Sequence, residues 1–252
     1  MAQHTFNTPR PVDLDVRIPS GDVAVETIEG EESFVEVDGD PRLVDETRVE
    51  LQGDRLLVEL RTKKAFGFSI EIGGWSWGNE KLRIRARIPH SSSFASATAS
   101  ADIQARGTFS TLNTKTASGD LTVHGTVHGE ANIKTVSGDA HLEIVGGDLR
   151  VQSVSGDVHV DQVHGSIGVK SVSGDVRIGS ATGGEATLQS VSGDIELGVA
   201  PGTNVDVDAN SVSGDLESDV PLASDPSGAN GEGPTLVVRG KTVSGDFRLV
   251  RG

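Results

Sequence analysis

Val154-Ser155-Gly156-Asp157-Val158-His159-Val160 is one copy of a unit that recurs along most of the chain. Ser-Gly-Asp stands again at Ser118, Ser137, Ser173, Ser192, Ser213 and Ser244, with Ser100-Ala101-Asp102 as a close relative and an upstream copy at Ser20-Gly21-Asp22. From Ser100 onward the copies lie 18, 19, 18, 18, 19, 21 and 31 residues apart. A fixed period of this size marks a repeat architecture. Gly119, Gly129, Gly138, Gly147, Gly156, Gly165, Gly174, Gly184 and Gly193 divide it again at steps of nine or ten, so each repeat is two half-turns, each a short strand and a glycine corner.

Columns of residues emerge when the copies are superimposed. Two places after the motif glycine stand Leu121, Ala140, Val158, Val176, Ile195, Leu216 and Phe247, and four after it Val123, Leu142, Val160, Ile178, Leu197 and Leu249, with Ser218 departing. Two places before it stand Ala117, Val136, Val154, Val172, Val191, Val212 and Val243. The position between the first two columns is mixed: Thr122, His141, His159, Arg177, Glu196, Glu217, Arg248. The constant apolar columns are expected to face inward and the mixed column to face solvent. Ile133, Leu149, Val151, Ile167, Val169 and Leu188 fill the inward places of the second half-turns. Alternation with period 2, broken by glycine every nine residues, excludes a helix. The expectation is an all-β chain, a parallel β-solenoid with coils of about 18 residues, preceded by an N-terminal β-rich region that caps it. One coil cannot bury enough apolar surface to fold alone, so neighbours must share a core.

The N-terminal region, residues 1-96, reads as half-repeats and hairpins. Val12, Leu14, Val16 and Ile18 alternate until Pro19 breaks the strand. Thr47–Leu51 and Arg55–Arg61 form a hairpin through Gln52-Gly53-Asp54. Phe66, Phe68, Ile70 and Ile72 make another strand, and the following loop carries Trp75 and Trp77. Those tryptophans either tuck over a sheet end or stand exposed as interface anchors. Leu82, Ile84, Ala86 and Ile88 then alternate with Lys81, Arg83, Arg85 and Arg87. This basic stripe reads either as cross-strand pairing with Glu50 and Glu59 or as a docking face for an anionic partner. Pro89 to Ser100 reads as a Ser/Ala-rich connector. The array itself occupies 97-252, with a flexible loop at 222-234.

Composition narrows the function. A net charge of −15 argues against a nucleic-acid binder, which needs a basic footprint. Cysteine is absent, which removes disulfides and thiolate metal sites. Met1 to Val16 has no apolar signal region and nothing approaches a transmembrane span, so a soluble cytoplasmic protein is expected. Stacked coils would place Asp120, Asp139, Asp157, Asp175, Asp194 and Asp215 in a column, where neighbouring carboxylates about 4.8 Å apart repel by about 0.9 kcal/mol in water. Backbone amides can answer that repulsion if each Asp closes a turn around a left-handed Gly. Calcium is the alternative, and these aspartates are then its ligands. The calcium-binding repeats-in-toxin rolls, however, use Gly-Gly-x-Gly-x-Asp turns, which are absent here. The seven histidines read as solvent-facing fillers or corner residues. No nucleophile elbow, triad order or phosphate loop is present. A carbohydrate-active β-helix enzyme would need a cleft that the sequence does not advertise.

Leu82–Pro89, the Ser/Thr-rich connector, the Val-Ser-Gly-Asp units and the closing Thr242-Val-Ser-Gly-Asp-Phe together resemble the toastrack family, most specifically over residues 82–250. These are bacterial β-strand-repeat proteins labelled adhesins, and the density of Val-Ser-Gly-Asp resembles actinobacterial members. The resemblance implies a scaffolding role near the cell envelope and supplies no catalytic residue. A looser similarity is to bactofilins, β-solenoids that polymerise end to end. The expectation is therefore a non-enzymatic scaffold, without cofactor, whose partner is another protein or a second copy. Because the chain ends within a few residues of Phe247, with no polar cap after it, self-association through the C-terminal coil is expected.

Overall fold

In the computed structural model, which describes residues 1–61, 82–220 and 233–252, strands account for nearly all regular structure. The N-terminal part supplies β1 (Ala2–Asn7), β2 (Asp13–Ile28), β3 (Glu32–Asp38), α1 (Pro41–Glu46), β4 (Thr47–Gln52), β5 (Arg55–Leu60), β6 (Leu82–Pro89) and β7 (Ser92–Lys115). The repeats supply β8 (Leu121–Val127), β9 (Ala131–Lys134), β10 (Ala140–Val145), β11 (Leu149–Gln152), β12 (Val158–Val163), β13 (Ile167–Lys170), β14 (Val176–Ala181) and β15 (Gly184–Gln189). Last come β16 (Ile195–Val199), β17 (Asn204–Ser211), β18 (Leu216–Ser218), β19 (Thr235–Thr242) and β20 (Phe247–Arg251).

Strands two apart pair in parallel and in register, so the coils stack as the period requires. Ala140, His141 and Leu142 lie beside Val158, His159 and Val160, and these beside Val176, Arg177 and Ile178. One ladder runs β8-β10-β12-β14-β16 and a second β9-β11-β13-β15. Between them lies a narrow core, to which one coil contributes Val158, Val160, Val163, Ile167 and Val169, all buried. Stacking gives each coil both a shared core and partners for its backbone amides and carbonyls. The expected parallel β-solenoid is the fold.

The N-terminal end differs in detail from the expectation. β2 does not stop at Pro19. It bends there and serves both ladders, residues 13–17 lying between β5 and β7, and residues 21–26 between β6 and β7. The pairing with β7 passes from Ile18 to Ser20, omitting the one residue that has no N–H to give. The stack is then closed by antiparallel neighbours, β3 and β1 outside β6, and β4 outside β5. The expected Ser/Ala connector is strand from Ser92 onward, and β7 runs unbroken through residues 96 and 97. Its inward row is Ser92, Phe94 and Ser96, all buried. Ser92 Oγ accepts from the Val12 N–H and donates to the Pro89 carbonyl, while Ser96 Oγ donates to Thr114 Oγ1 one coil on. Hydrogen-bonded serines inside a strand carry no hydrophobic signature. The short α1 was also not foreseen; the Asp40 side chain caps it by accepting from the Arg42 N–H, with Pro41 at its first position.

The C-terminal end overturns an expectation. β19 lies between β15 and β17, and β20 between β16 and β18. The chain thus lays down its terminal coil first and returns to fill the place beneath it. Phe247, expected in the last coil, lies in the coil beneath it and is 3% exposed, as its inward column requires, whereas Leu216 of the true terminal coil, expected inward by the same column, is 49% exposed. Among the described residues no helix is long and apolar enough to cross a membrane.

Candidate functional site

Five Ser-Gly-Asp corners, at Gly119, Gly138, Gly156, Gly174 and Gly193, are closed by a hydroxyl amino acid two places before the motif serine, whereas at the last two, Gly214 and Gly245, Ser211 Oγ and Thr242 Oγ1 are buried without a hydrogen-bond partner. Ser153 is buried; its Oγ accepts from the Gly156 N–H at 3.0 Å and donates to the Gly156 carbonyl at 2.8 Å. Thr135 and Ser171 do the same for Gly138 and Gly174, and Thr116 and Ser190 accept from Gly119 and Gly193. Of the Ser-Gly-Asp copies only the upstream Gly21, at φ 129°, has a positive φ; the motif glycines from Gly119 to Gly245 are not left-handed, contrary to expectation. They are needed because a Cβ on Gly156 would overlap the Gly138 carbonyl of the coil below.

With the hydroxyl turned inward, alternation turns the next residue outward. Val136, Val154, Val172, Val191 and Val243 are 45–50% exposed and Val212 is 82% exposed. This corrects the expectation that the column faces the core: the corner's need for an internal hydrogen-bonding hydroxyl outranks the burial of a valine. The column is continuous. Each motif serine donates its N–H to the carbonyl one coil below, fixing the order Ala99, Ala117, Val136, Val154, Val172, Val191, Val243, Val212. Beside it on the second ladder run Lys115, Lys134, Gln152, Lys170, Gln189, Lys241 and Asn210 in register. Lys115, Lys134, Gln152, Val136 and Val154 line a shallow groove of about 270 Å³.

The aspartates form the other border. Asp139 Oδ1 accepts from the Asp157 N–H at 2.9 Å, Asp157 Oδ1 from the Asp175 N–H at 2.9 Å, and Asp194 Oδ1 from the Asp246 N–H at 2.9 Å. Asp102, Asp120, Asp175 and Asp246 continue the series, the last serving Asp215. The repulsion along the column is therefore answered by the amide of the next coil, not by a local turn. Outside the aspartates, Thr122, His141, His159, Arg177, Glu196 and Arg248 complete a groove of about 550 Å³ running across the coils. Arg177 pairs with Glu196 at 2.9 Å and Arg248 with Glu217 at 3.0 Å. His141 and His159 stack, ring centroids 4.9 Å apart. Glu143 is held below the usual carboxylate range, first by its hydrogen bond with His124, which outweighs the effect of burial, then by the Gly125 N–H and the charges of His124 and His141. No serine–histidine pair occurs along this corner among the described residues; Ser118, Ser137, Ser155 and Ser173 give their hydroxyl protons to carbonyls.

The other sequence candidates fall elsewhere. Trp75, Trp77 and Lys81 lie outside the described residues. Arg83, Arg85 and Arg87 project outward from β6, but their partners are not Glu50 and Glu59. Arg85 reaches Glu36 at 2.7 Å, Arg83 lies 3.9 Å from Asp22, and Arg87 covers the Phe34 ring at 5.6 Å. Register with β2 and β3 sets these pairs, whereas Glu50 is held by Arg48 on its own strand. The stripe is thus answered within the sheet. The alternating strand proposed at Phe66–Ile72 and most of the loop at 222-234 also lie outside the described residues.

A family model described as Toastrack DUF4097 matches residues 13–249. The chain belongs to this toastrack family. No curated protein matches it. The toastrack fold is similar to a crystal structure described as a putative adhesin from Bacteroides fragilis, with 14% identity and a TM-score of 0.54 over 99% of this chain and 96% of that one. It is similar in the same degree, at 15% identity and a TM-score of 0.54 over 99% and 96%, to a protein from Parabacteroides distasonis described as a putative lipid binding protein. At such identities the likeness shows the fold alone.

Proposed function

We propose that this toastrack chain is a non-enzymatic scaffold that works by protein contact, and that its contact strip is the valine column, whose partner is a second copy. The observation that carries this reading is the straight row of half-exposed valines, repeated coil after coil on an otherwise polar surface. The description of one structural neighbour as an adhesin supports a contact role. Charge selects the partner: lysines border the valines on one side, serines and aspartates on the other. A two-fold axis parallel to the coil stack brings valine to valine and sets the lysines of each copy against the Ser-Asp border of the other. A perpendicular axis would oppose lysine to lysine. The strip is about 38 Å long, from eight coils about 4.8 Å apart. With a width of roughly 15 Å it would bury on the order of 1,200 Å² in total, at the low end of specific interfaces, so the association is reversible.

This axis makes every valine face its own number in the partner. The cysteine-free chain offers a clean test. Single variants Val136→Cys, Val172→Cys and Val243→Cys are each expected to give oxidised dimers, and Val154→Asp with Val172→Asp to give a monomer by sedimentation velocity. Dimers that persist in the double-Asp variant, or cross-linking at none of the three positions, would overturn the reading. Sedimentation with lipid vesicles that the double-Asp variant abolishes would assign the strip to a membrane instead.

A further inference from the structure

We infer that His141, His159 and Asp161 form a site for one divalent transition-metal ion of the zinc type on the outer face of the long-strand ladder. In-register pairing sets His141 beside His159 on adjacent coils, their rings 4.9 Å apart and inclined by 4°. Two residues along the same strand, Asp161 holds His159 Nε2 at 2.9 Å through Oδ1. Donor atoms from all three residues lie within 4.8 Å of one another. Two imidazoles and a carboxylate suit zinc, nickel or copper, and leave open positions for water. Nitrogens sharing one zinc at about 2.0–2.1 Å each stand at most about 4.2 Å apart, so the side chains must close slightly. They are free to do so: the His159 and Asp161 side chains are 40% and 44% exposed.

Neighbouring charges favour a cation here. The next residue of the column, Arg177, is drawn to Glu196 at 2.9 Å, which answers its charge away from His159. Beside His141, Glu143 of the same strand pairs with His124 of the coil below at 2.9 Å, a second imidazole–carboxylate pair. Asp139 and Asp157 line the same groove, where six aspartates and Glu196 outnumber Arg177 and Arg248, and a cleft with an excess of one sign of charge concentrates the opposite ion. The in-register column holds two adjacent histidines at one place, so the expected stoichiometry is one ion per chain.

The test is titration calorimetry of the full chain with zinc chloride, together with imidazole proton spectra. One zinc per chain is expected. His141→Ala and His159→Ala should each weaken binding at least tenfold, and Asp161→Asn at least threefold. His128→Ala and His164→Ala, at the opposite corner, should leave affinity unchanged. Resonances of His141 and His159 should move with added zinc while those of His128 and His164 stay in place. Absence of binding, affinity unchanged from the parent in both histidine variants, or equal losses in the controls would each overturn the site; in the second case the surviving binding would locate the ion on the aspartate column.

Discussion

Ser153, Val154 and Gly156 carry three different burdens within four positions, and their substitution should separate them. Ser153 closes the corner from inside, so Ser153→Ala leaves the buried Gly156 amide without its partner and is expected to cost roughly 1–3 kcal/mol. Gly156→Ala forces a methyl group into the Gly138 carbonyl and should cost at least as much. Val154 is turned outward, so Val154→Ser should change stability by no more than about 0.5 kcal/mol. By contrast Val160→Ala, in the core, should cost on the order of 2 kcal/mol. Urea denaturation of the four variants measures the order directly. A large loss for Val154→Ser would place that side chain inside after all.

At the scale of elements, the two ends of the stack are held by different means. At the C-terminal end, β17 and β18 pair with β19 and β20, which the sequence supplies later. Removing residues 221–252 is therefore expected to release the terminal coil as well, and hydrogen exchange should show lost protection over Asn204–Ser218. Protection retained there would contradict the inserted order. Phe247→Ala, removing the ring that lies over Gly240, should cost about 3–5 kcal/mol. At the N-terminal end, Asp15 joins β2 to β5 through Arg55 and also binds Arg17 at 2.8 Å. Burial alone would raise its carboxyl, but the hydrogen bonds and charges of the two arginines outweigh it and hold Asp15 below the usual range. A depressed carboxylate adds stability above its unfolded value, and that stability is lost as pH falls through the folded one. Asp15→Asn should accordingly flatten the fall in urea midpoint between about pH 6 and about pH 3. Parallel pH profiles for variant and parent would rule the link out.

At the scale of the whole molecule, the solenoid converts a sequence period into long columns of one chemistry. Lysine, valine, serine, aspartate and a mixed row lie side by side over the coils, so weak local features become extended strips. In the proposed dimer, valine contact supplies attraction and the lysine–aspartate borders supply orientation and encounter rate. Raising salt from about 0.05 M to about 0.5 M should slow association several-fold through screening. Lys134→Glu with Lys170→Glu should weaken the dimer at least tenfold at low salt, as read by sedimentation. Stronger association in that variant would reverse the assigned axis.

The sequence by itself determined the architecture. Glycine every nine residues and inward Val158, Val160, Ile167 and Val169 admit no other regular structure, and the in-register stack follows from the period. Three things were decided only in three dimensions. Whether Val154 faces in or out depended on Ser153, whose buried hydroxyl satisfies the corner glycine and thereby sets the phase of the alternation; hydrophobicity alone points the wrong way. Which coil is last depended on the pairing of β19 and β20, since step lengths of 21 and 31 residues say that the pattern changes but not where the chain goes. That His141 and His159 are neighbours is legible as a column, but the 4.9 Å ring stack and the turn of Asp161 toward it arise from parallel register and side-chain packing, which have no sequence signature. Repetition fixes what each residue does along the strand; stacking fixes what it meets.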